Sequence, residues 1–154
     1  MIGQGRLHLL FLGNPEAPEF RLRQEGFREI CDQHADVRLE CAKIELVPET
    51  ARRQLPELLA EHRGIDGIFA ASDVIALITI AVLEQSGASI PADVSIIGYD
   101  NVPMAAFGHR SLTTIDQQLA EGAHLLMHAL QQSMAGEPTS SHMIQPVLLI
   151  RGTA

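Results

Sequence analysis

The run Ile90-Pro-Ala-Asp-Val-Ser-Ile-Ile-Gly-Tyr-Asp-Asn-Val102, with Leu112-Thr-Thr-Ile115 after it, decides the fold. Val94 to Ile97 is mostly apolar and β-branched, the pattern of a buried strand. Gly98 lets the backbone come close to a neighbour, and Asp100 stands where the strand runs out. In open α/β sheets, ligands bind outside the carboxyl ends of the strands. An acid at that point accepts hydrogen bonds from a polyhydroxy or amine-bearing ligand. Capping the turn before Pro103 uses the same residue equally well, and sequence physics alone supports both readings.

Outward from this run, strands and helices alternate. Leu7 to Leu12 reads as a strand closed by Gly13-Asn14-Pro15, and Pro18 to His34 as a helix with Phe20, Phe27, Ile30 and Cys31 at mostly helical spacing. Val37 to Leu46 holds a weaker strand. Glu49 to His62 reads as a helix that Pro56 is expected to kink or divide, and Gly64 stops it. Gly67 to Ala71 is the third strand, Asp73 to Gln85 a helix with Ser72 as N-cap, and Val94 to Tyr99 the fourth strand. Val102 to Phe107 suggests a short helical turn, and Leu112 to Ile115 an extended segment. Asp116 is read as the N-cap of a helix to Ala135, with Leu119, Ala123, Leu126, Met127 and Leu130 as its apolar stripe. Gly136-Glu137-Pro138 ends it, and Val147 to Ile150 is the last strand. The alternation predicts an α/β fold, a mostly parallel sheet in three layers with helices on both faces.

The totals narrow the function. A chain of 154 residues with 46% hydrophobic content builds one ordinary domain with a substantial core. Net charge is −8 and Lys43 is the single lysine, which argues against a nucleic-acid surface. Arg21, Arg23 and Arg28 are interleaved with Glu19, Glu25 and Glu29, the pattern of a solvated helix face. Cys31 and Cys41 form no disulfide framework and lack CxxC spacing. No basic region precedes an apolar stretch with a cleavage site, and the longest apolar run, Val74 to Leu83, is too short to span a bilayer. The expectation is a cytoplasmic chain with no membrane contact.

Ser72-Asp73, Ile90-Pro91, Asp93-Val94-Ser95, Gly98-Tyr99-Asp100-Asn101, Leu112-Thr113-Thr114-Ile115 and Arg23-x-x-Gly26-Phe27 keep one order and spacing along almost the whole chain. Together they resemble the C-terminal part of the effector-binding core of LacI/GalR transcription regulators. That core is periplasmic-binding-protein-like, with two lobes joined to a small DNA-binding helical headpiece. The resemblance implies that residues 1–154 are a single truncated effector-binding domain, mainly the second lobe of a type I periplasmic-binding-protein-like fold. No headpiece, hinge or first lobe precedes Met1 in this sequence. It also implies that the helix over 116–136 packs on the first lobe, so that its stripe needs another partner here.

The same resemblance marks a ligand site. Arg23 matches an arginine that contacts the effector, a task suited to the planar guanidinium fork. Its spacing to Glu19 alone favours a surface ion pair instead. Asp100 is the matching acid. Ser72 and Asp73 stand at a helix start, where a hydroxyl and backbone N–H groups bind ligand oxygens, and both residue types cap helices in any case. Val47 is aligned as an apolar wall. Ile78 departs from the small residue common in the family.

The expected ligand is a small polar effector of the sugar or nucleobase class, with no cofactor and no catalytic residue. Operator DNA would be bound through the missing headpiece and not by this fragment. Val74 to Leu83 carries no charge, which points to a second burial in a homodimer; cover by neighbouring helices of the same lobe is the alternative. His124 and His128, four apart on a helix, have metal-ligand spacing but no obvious third ligand, and no metal site is expected. A periplasmic solute-binding lobe and a small α/β enzyme are the rival readings. No GxSxG motif, Walker loop or local nucleophile–base pair supports the enzyme.

Overall fold

Each βαβ step must pack its crossover back onto a right-twisted sheet, and this right-handed rule fixes which helix covers which face. The computed structural model describes residues 1–107 and 109–154. Its elements run β1 (His8–Gly13), α1 (Pro18–Cys31), β2 (Arg38–Lys43), α2 (Pro48–Glu61), β3 (Gly67–Ala70), α3 (Asp73–Gln85), β4 (Ser95–Tyr99), β5 (Thr113–Asp116), α4 (Leu119–Met134) and β6 (Val147–Leu149). Short 3-10 turns occupy Ile2–Gln4 and Pro103–Ala106.

The sheet order is β2-β1-β3-β4-β5-β6, parallel throughout except for the antiparallel β5–β6 pair. The step from β1 to β2 moves one way along the sheet and those from β2 to β4 move the other way. Thus α1 lies on one face, and α2 and α3 on the opposite face. The expected mostly parallel α/β architecture is the one observed. The core is built from continuous apolar strands, with Leu9, Leu10, Phe11 and Leu12 of β1 fully buried and Ile68, Ala70 and Ile96 beside them. Phe69 packs edge-on against Phe11 and Phe27, with ring centroids 5.6 and 5.0 Å apart.

Three details correct the reading from sequence. Pro56 sits inside α2 without dividing it. Its side chain is exposed to solvent, and its missing N–H leaves one carbonyl of the preceding turn without a helical partner. The first helix ends at Cys31, three residues before His34, and its last carbonyls are taken by the N–H groups of the following turn. Asp116 does not cap the last helix. It closes β5, and Gln118, in a left-handed conformation at φ 57°, is the N-cap. Asp116 instead accepts the Gln118 N–H at 2.8 Å, a short Asx turn that bends the chain out of the sheet.

The apolar helix α3 is only partly covered by its own lobe. Ile75, Ala76, Thr79, Ile80, Val82 and Leu83 are buried. Val74, Leu77, Ile78 and Ala81 keep exposure along one stripe. α4 buries no residue at all. The stripe expected to find a partner lies open, with Leu126 71% and Leu130 51% exposed.

Candidate ligand-binding site

The carboxyl ends of β1, β3 and β4 converge on Arg23. α1 follows β1, so Arg23 in its second turn reaches back over the sheet edge. Its Nη1 donates to the Ala71 carbonyl at 2.5 Å, just past β3, and its Nη2 lies 3.5 Å from Asp100 Oδ1, just past β4. The guanidinium carbon sits 3.8 Å from the centroid of Tyr99 and 5.3 Å from that of Phe20. A stacked, doubly tethered guanidinium is held in one plane before any ligand arrives. The surface pairing with Glu19 suggested by spacing is replaced by the pairing with Asp100, because the helix faces the sheet edge at this position. Arg23 and Asp100 thus stand together at one edge of the sheet.

A cleft of about 470 Å³ opens beside them, with Glu19, Leu22, Tyr99, Ile115 and Gln117 in its lining. Gln117 Nε2 donates to Asp100 Oδ1 at 2.7 Å. Burial pushes the Asp100 carboxyl above its ordinary value; Arg23 opposes this, the neighbouring Asp73 adds to it and Gln117 opposes it. The loop that carries Asp100 is backbone-strained. Asp100 has φ 113°, a conformation that non-glycine residues hold only when surrounding contacts impose it, and Asn101 follows at φ 52°, in the left-handed region that asparagine tolerates.

Those contacts are visible. The Asp100 N–H donates to the Ile115 carbonyl at 2.9 Å. Asn101 Nδ2 donates to Asp116 at 3.0 Å and its Oδ1 accepts from Arg151 at 2.8 Å. Asp73 completes the frame from beneath. It is fully buried, and its Oδ2 accepts the Val102 N–H at 2.9 Å while its Oδ1 accepts the Thr114 hydroxyl at 2.5 Å. Burial raises its carboxyl as well; Thr114, the Val102 N–H and Arg151 work against that rise.

The five residues singled out from sequence therefore take different places. Arg23 and Asp100 are paired at the cleft. Ser72 is the N-cap of α3 and accepts the Ile75 N–H at 3.4 Å. Asp73 directs its carboxylate into the protein, beneath the Asn101–Val102 segment. Val47 is the exposed N-cap residue of α2 and is not part of the cleft lining. Gln117, Tyr99 and Glu19 were not singled out as site residues. Tyr99 adjoins Asp100 in the quoted run, but nothing in the sequence signals that its ring receives Arg23. Gln117 becomes a site residue only because β5 pairs beside β4.

A family model described as a periplasmic binding protein-like domain matches residues 1–154. The chain is 30% identical over 133 residues to the ribose operon repressor of Halalkalibacterium halodurans, covering 85% of this chain and 40% of the repressor. Among solved structures, the Escherichia coli transcriptional repressor ascG superposes with a TM-score of 0.89 at 22% identity, over 99% of this chain and 57% of that one. A LacI family regulator from Arthrobacter sp. FB24 in complex with lactose superposes at 0.86 with 23% identity, over 99% and 59%. The chain belongs to the periplasmic-binding-protein-like domain family, in the branch formed by the effector-binding cores of LacI/GalR transcription regulators. It spans about 40% of the length of the sucrose and ribose operon repressors it matches. These relatives are transcriptional repressors, not enzymes. Among the described residues, no helix is long and apolar enough to cross a membrane.

Proposed function

We propose that this chain is the small-molecule-sensing lobe of a LacI-type bacterial transcription regulator acting in the cytoplasm. The observation that carries the reading is the Arg23–Asp100 pair, stacked on Tyr99 at the carboxyl edge of the sheet. Its open cleft offers a cation, a carboxylate and the Gln117 amide to one small polar ligand. Arg23 and Asp100 orient it, Ser72 and Val47 stand at the margins of the same edge, and Asp73 acts through the loop it anchors. The ligand class is a sugar or a nucleobase, with sugars favoured by the ribose and sucrose repressors among the relatives. Ligand closes this lobe against a first lobe, and only its differential affinity for the open and closed pairs can be relayed to operator DNA by a headpiece. α4 packs on that first lobe in a two-lobed chain. With one lysine and a net charge of −8, these residues do not bind DNA themselves.

Calorimetric titration with mono- and disaccharides and purine bases tests the site. Weak, saturable binding of at least one compound is expected, and Arg23→Ala or Asp100→Asn should weaken it roughly tenfold or more, as losing a charge-assisted contact does. Affinity should also fall on acidification, because ionised Asp100 is the acceptor and its carboxyl already sits above the ordinary 3.8. Silence across both classes, or binding indifferent to both variants, contradicts the assignment.

The half-open stripe Val74, Leu77, Ile78 and Ala81 is proposed as a homodimer seam, extended by the exposed Met104 and Phe107. Ile78→Asp should shift this contact to monomer in sedimentation. A dimer unchanged by it moves the contact elsewhere.

A further inference from the structure

The groups around the Arg23 cleft that would hold an anion are already engaged within the protein. Arg23 Nη1 donates to the Ala71 carbonyl and Nη2 faces Asp100, so the guanidinium charge is matched. A helix N-terminus at the carboxyl edge of a sheet ordinarily attracts anions through its open N–H groups and its dipole. Both α1 and α3 start at this edge, and each carries its own acid in the first turn. α1 opens on Pro18, which has no N–H, and bears Glu19. α3 is capped by Ser72 and bears the buried Asp73, which is close enough to Asp100 to raise its carboxyl. Arg151 partly offsets Asp73, but its own guanidinium is tied to the Leu112 carbonyl and to Asn101.

The accepting groups, by contrast, are open. Gln117 uses its amide N–H on Asp100 Oδ1, and its Oε1 has no partner among the described residues. Asp100 Oδ2 has none there either. Glu19 lines the cleft with its carboxylate unpaired among the same residues, because Arg23, its i,i+4 neighbour, turns to Asp100 instead. Leu22, Phe69, Tyr99 and Ile115 supply an apolar wall. Arg23 against Glu19 and Asp100 leaves this edge with an excess of negative charge, in a chain of net charge −8.

We propose that this lobe selects a ligand that donates hydrogen bonds and carries no anionic group, an unphosphorylated sugar and above all an amino sugar, and that Glu19 sets the selection. This rests on the reading of the cleft as the effector site. A sugar hydroxyl donates to Asp100 Oδ2 or Gln117 Oε1 and still accepts from the remaining N–H groups of Arg23. A phosphate cannot donate when fully ionised, and it meets Glu19 and Asp100 with no unmatched cation in the lining. An ammonium group both donates and gains from the same negative excess. Glu19 also suits the dipole of α1, a structural role that would not distinguish one ligand from another.

Amide NMR titration of the 154-residue chain at low ionic strength tests this with matched compounds. Ribose, glucose and sucrose are compared with ribose 5-phosphate, glucose 6-phosphate and sucrose 6-phosphate, and glucose also with glucosamine and with 6-O-methylglucose. Each ester of a sugar that binds should bind roughly tenfold or more weakly than its parent. Glucosamine should bind several-fold more tightly than glucose, and 6-O-methylglucose, which adds bulk without charge, should stay near glucose. Glu19→Gln should narrow both charge-dependent differences, and so should high salt. Glu19 is exposed and Gln keeps its size, so the variant folds, as circular dichroism checks. An ester that binds as well as its parent overturns the proposal. So does 6-O-methylglucose weakened as much as the phosphate, or a difference that Glu19→Gln leaves untouched. Silence with every compound contradicts the sensor reading itself, whereas binding of the parents without discrimination removes only this selection.

Discussion

Gly98→Ala should destabilise the chain by about 3–5 kcal/mol, far more than a single methyl group suggests. A Cβ at this position would stand 2.2 Å from Asp73 Oδ1, 3.0 Å from a Leu112 methyl carbon and 3.3 Å from the Ala76 Cβ. The carboxylate cannot swing away freely, because it is fully buried and accepts the Thr114 hydroxyl and the Val102 N–H. Displacing it leaves two donors unpaired and releases the Asp100–Asn101 loop from below. Urea denaturation measures the loss. In the double variant Gly98→Ala/Asp73→Ala the shortest of these clashes, that with the carboxylate, is gone, so its cost should be well below the sum of the two single costs. Additive costs would show that Gly98 and Asp73 do not act on each other.

Glu40→Gln should produce a stability deficit that depends on pH in a defined way. Glu40 Oε1 lies 2.7 Å from His8 Nε2 and 2.6 Å from Arg38 Nη2, while Oε2 pairs with His62 Nδ1. These partners, His62 foremost and then His8, hold the carboxyl at about 2 against its ordinary 4.5; burial opposes them, and Arg38 lowers it further. The folded value is depressed, so the stabilisation is fully present above pH 4.5 and is lost as pH falls towards 2. The difference corresponds to a ceiling of about 3 kcal/mol, and solvent screening reduces it to about 2. Asp73 and Asp100 have raised carboxyls and act with the opposite sign, gaining stability on acidification. Subtracting the variant's profile from the unaltered chain's isolates Glu40. A difference that stays constant from pH 6 to pH 2 would contradict the clamp.

Much of the fold was legible because its signals are local. The bounds of α3 follow from Ser72 as a cap and an unbroken apolar run, and the observed helix Asp73–Gln85 coincides with the reading. Asp116 misled because Asp before an apolar-periodic stretch is a common helix start. Only pairing with β4 and β6 shows that it belongs to a strand. The site was legible in part. Arg23 and Asp100 lie far apart in sequence, and a motif in register with a known family joined them where spacing alone joined Arg23 to Glu19. Gln117 and the stacking of Arg23 on Tyr99 depend on sheet order, which no local pattern encodes. The cluster of His8, Glu40 and His62 was missed for the same reason. Its members share no periodicity and meet only because β1 pairs with β2 and α2 ends beside them.

Backbone amide NMR during titration with the sugar and nucleobase panel tests the central claim most directly. Concentration-dependent shifts are expected to centre on Arg23, Tyr99, Asp100 and Gln117 and on the 101–102 loop, with the distant residues of the Glu40 cluster unmoved. Shifts centred away from the Arg23–Asp100 edge, or none with any compound, would contradict the assignment of this lobe as the sensor.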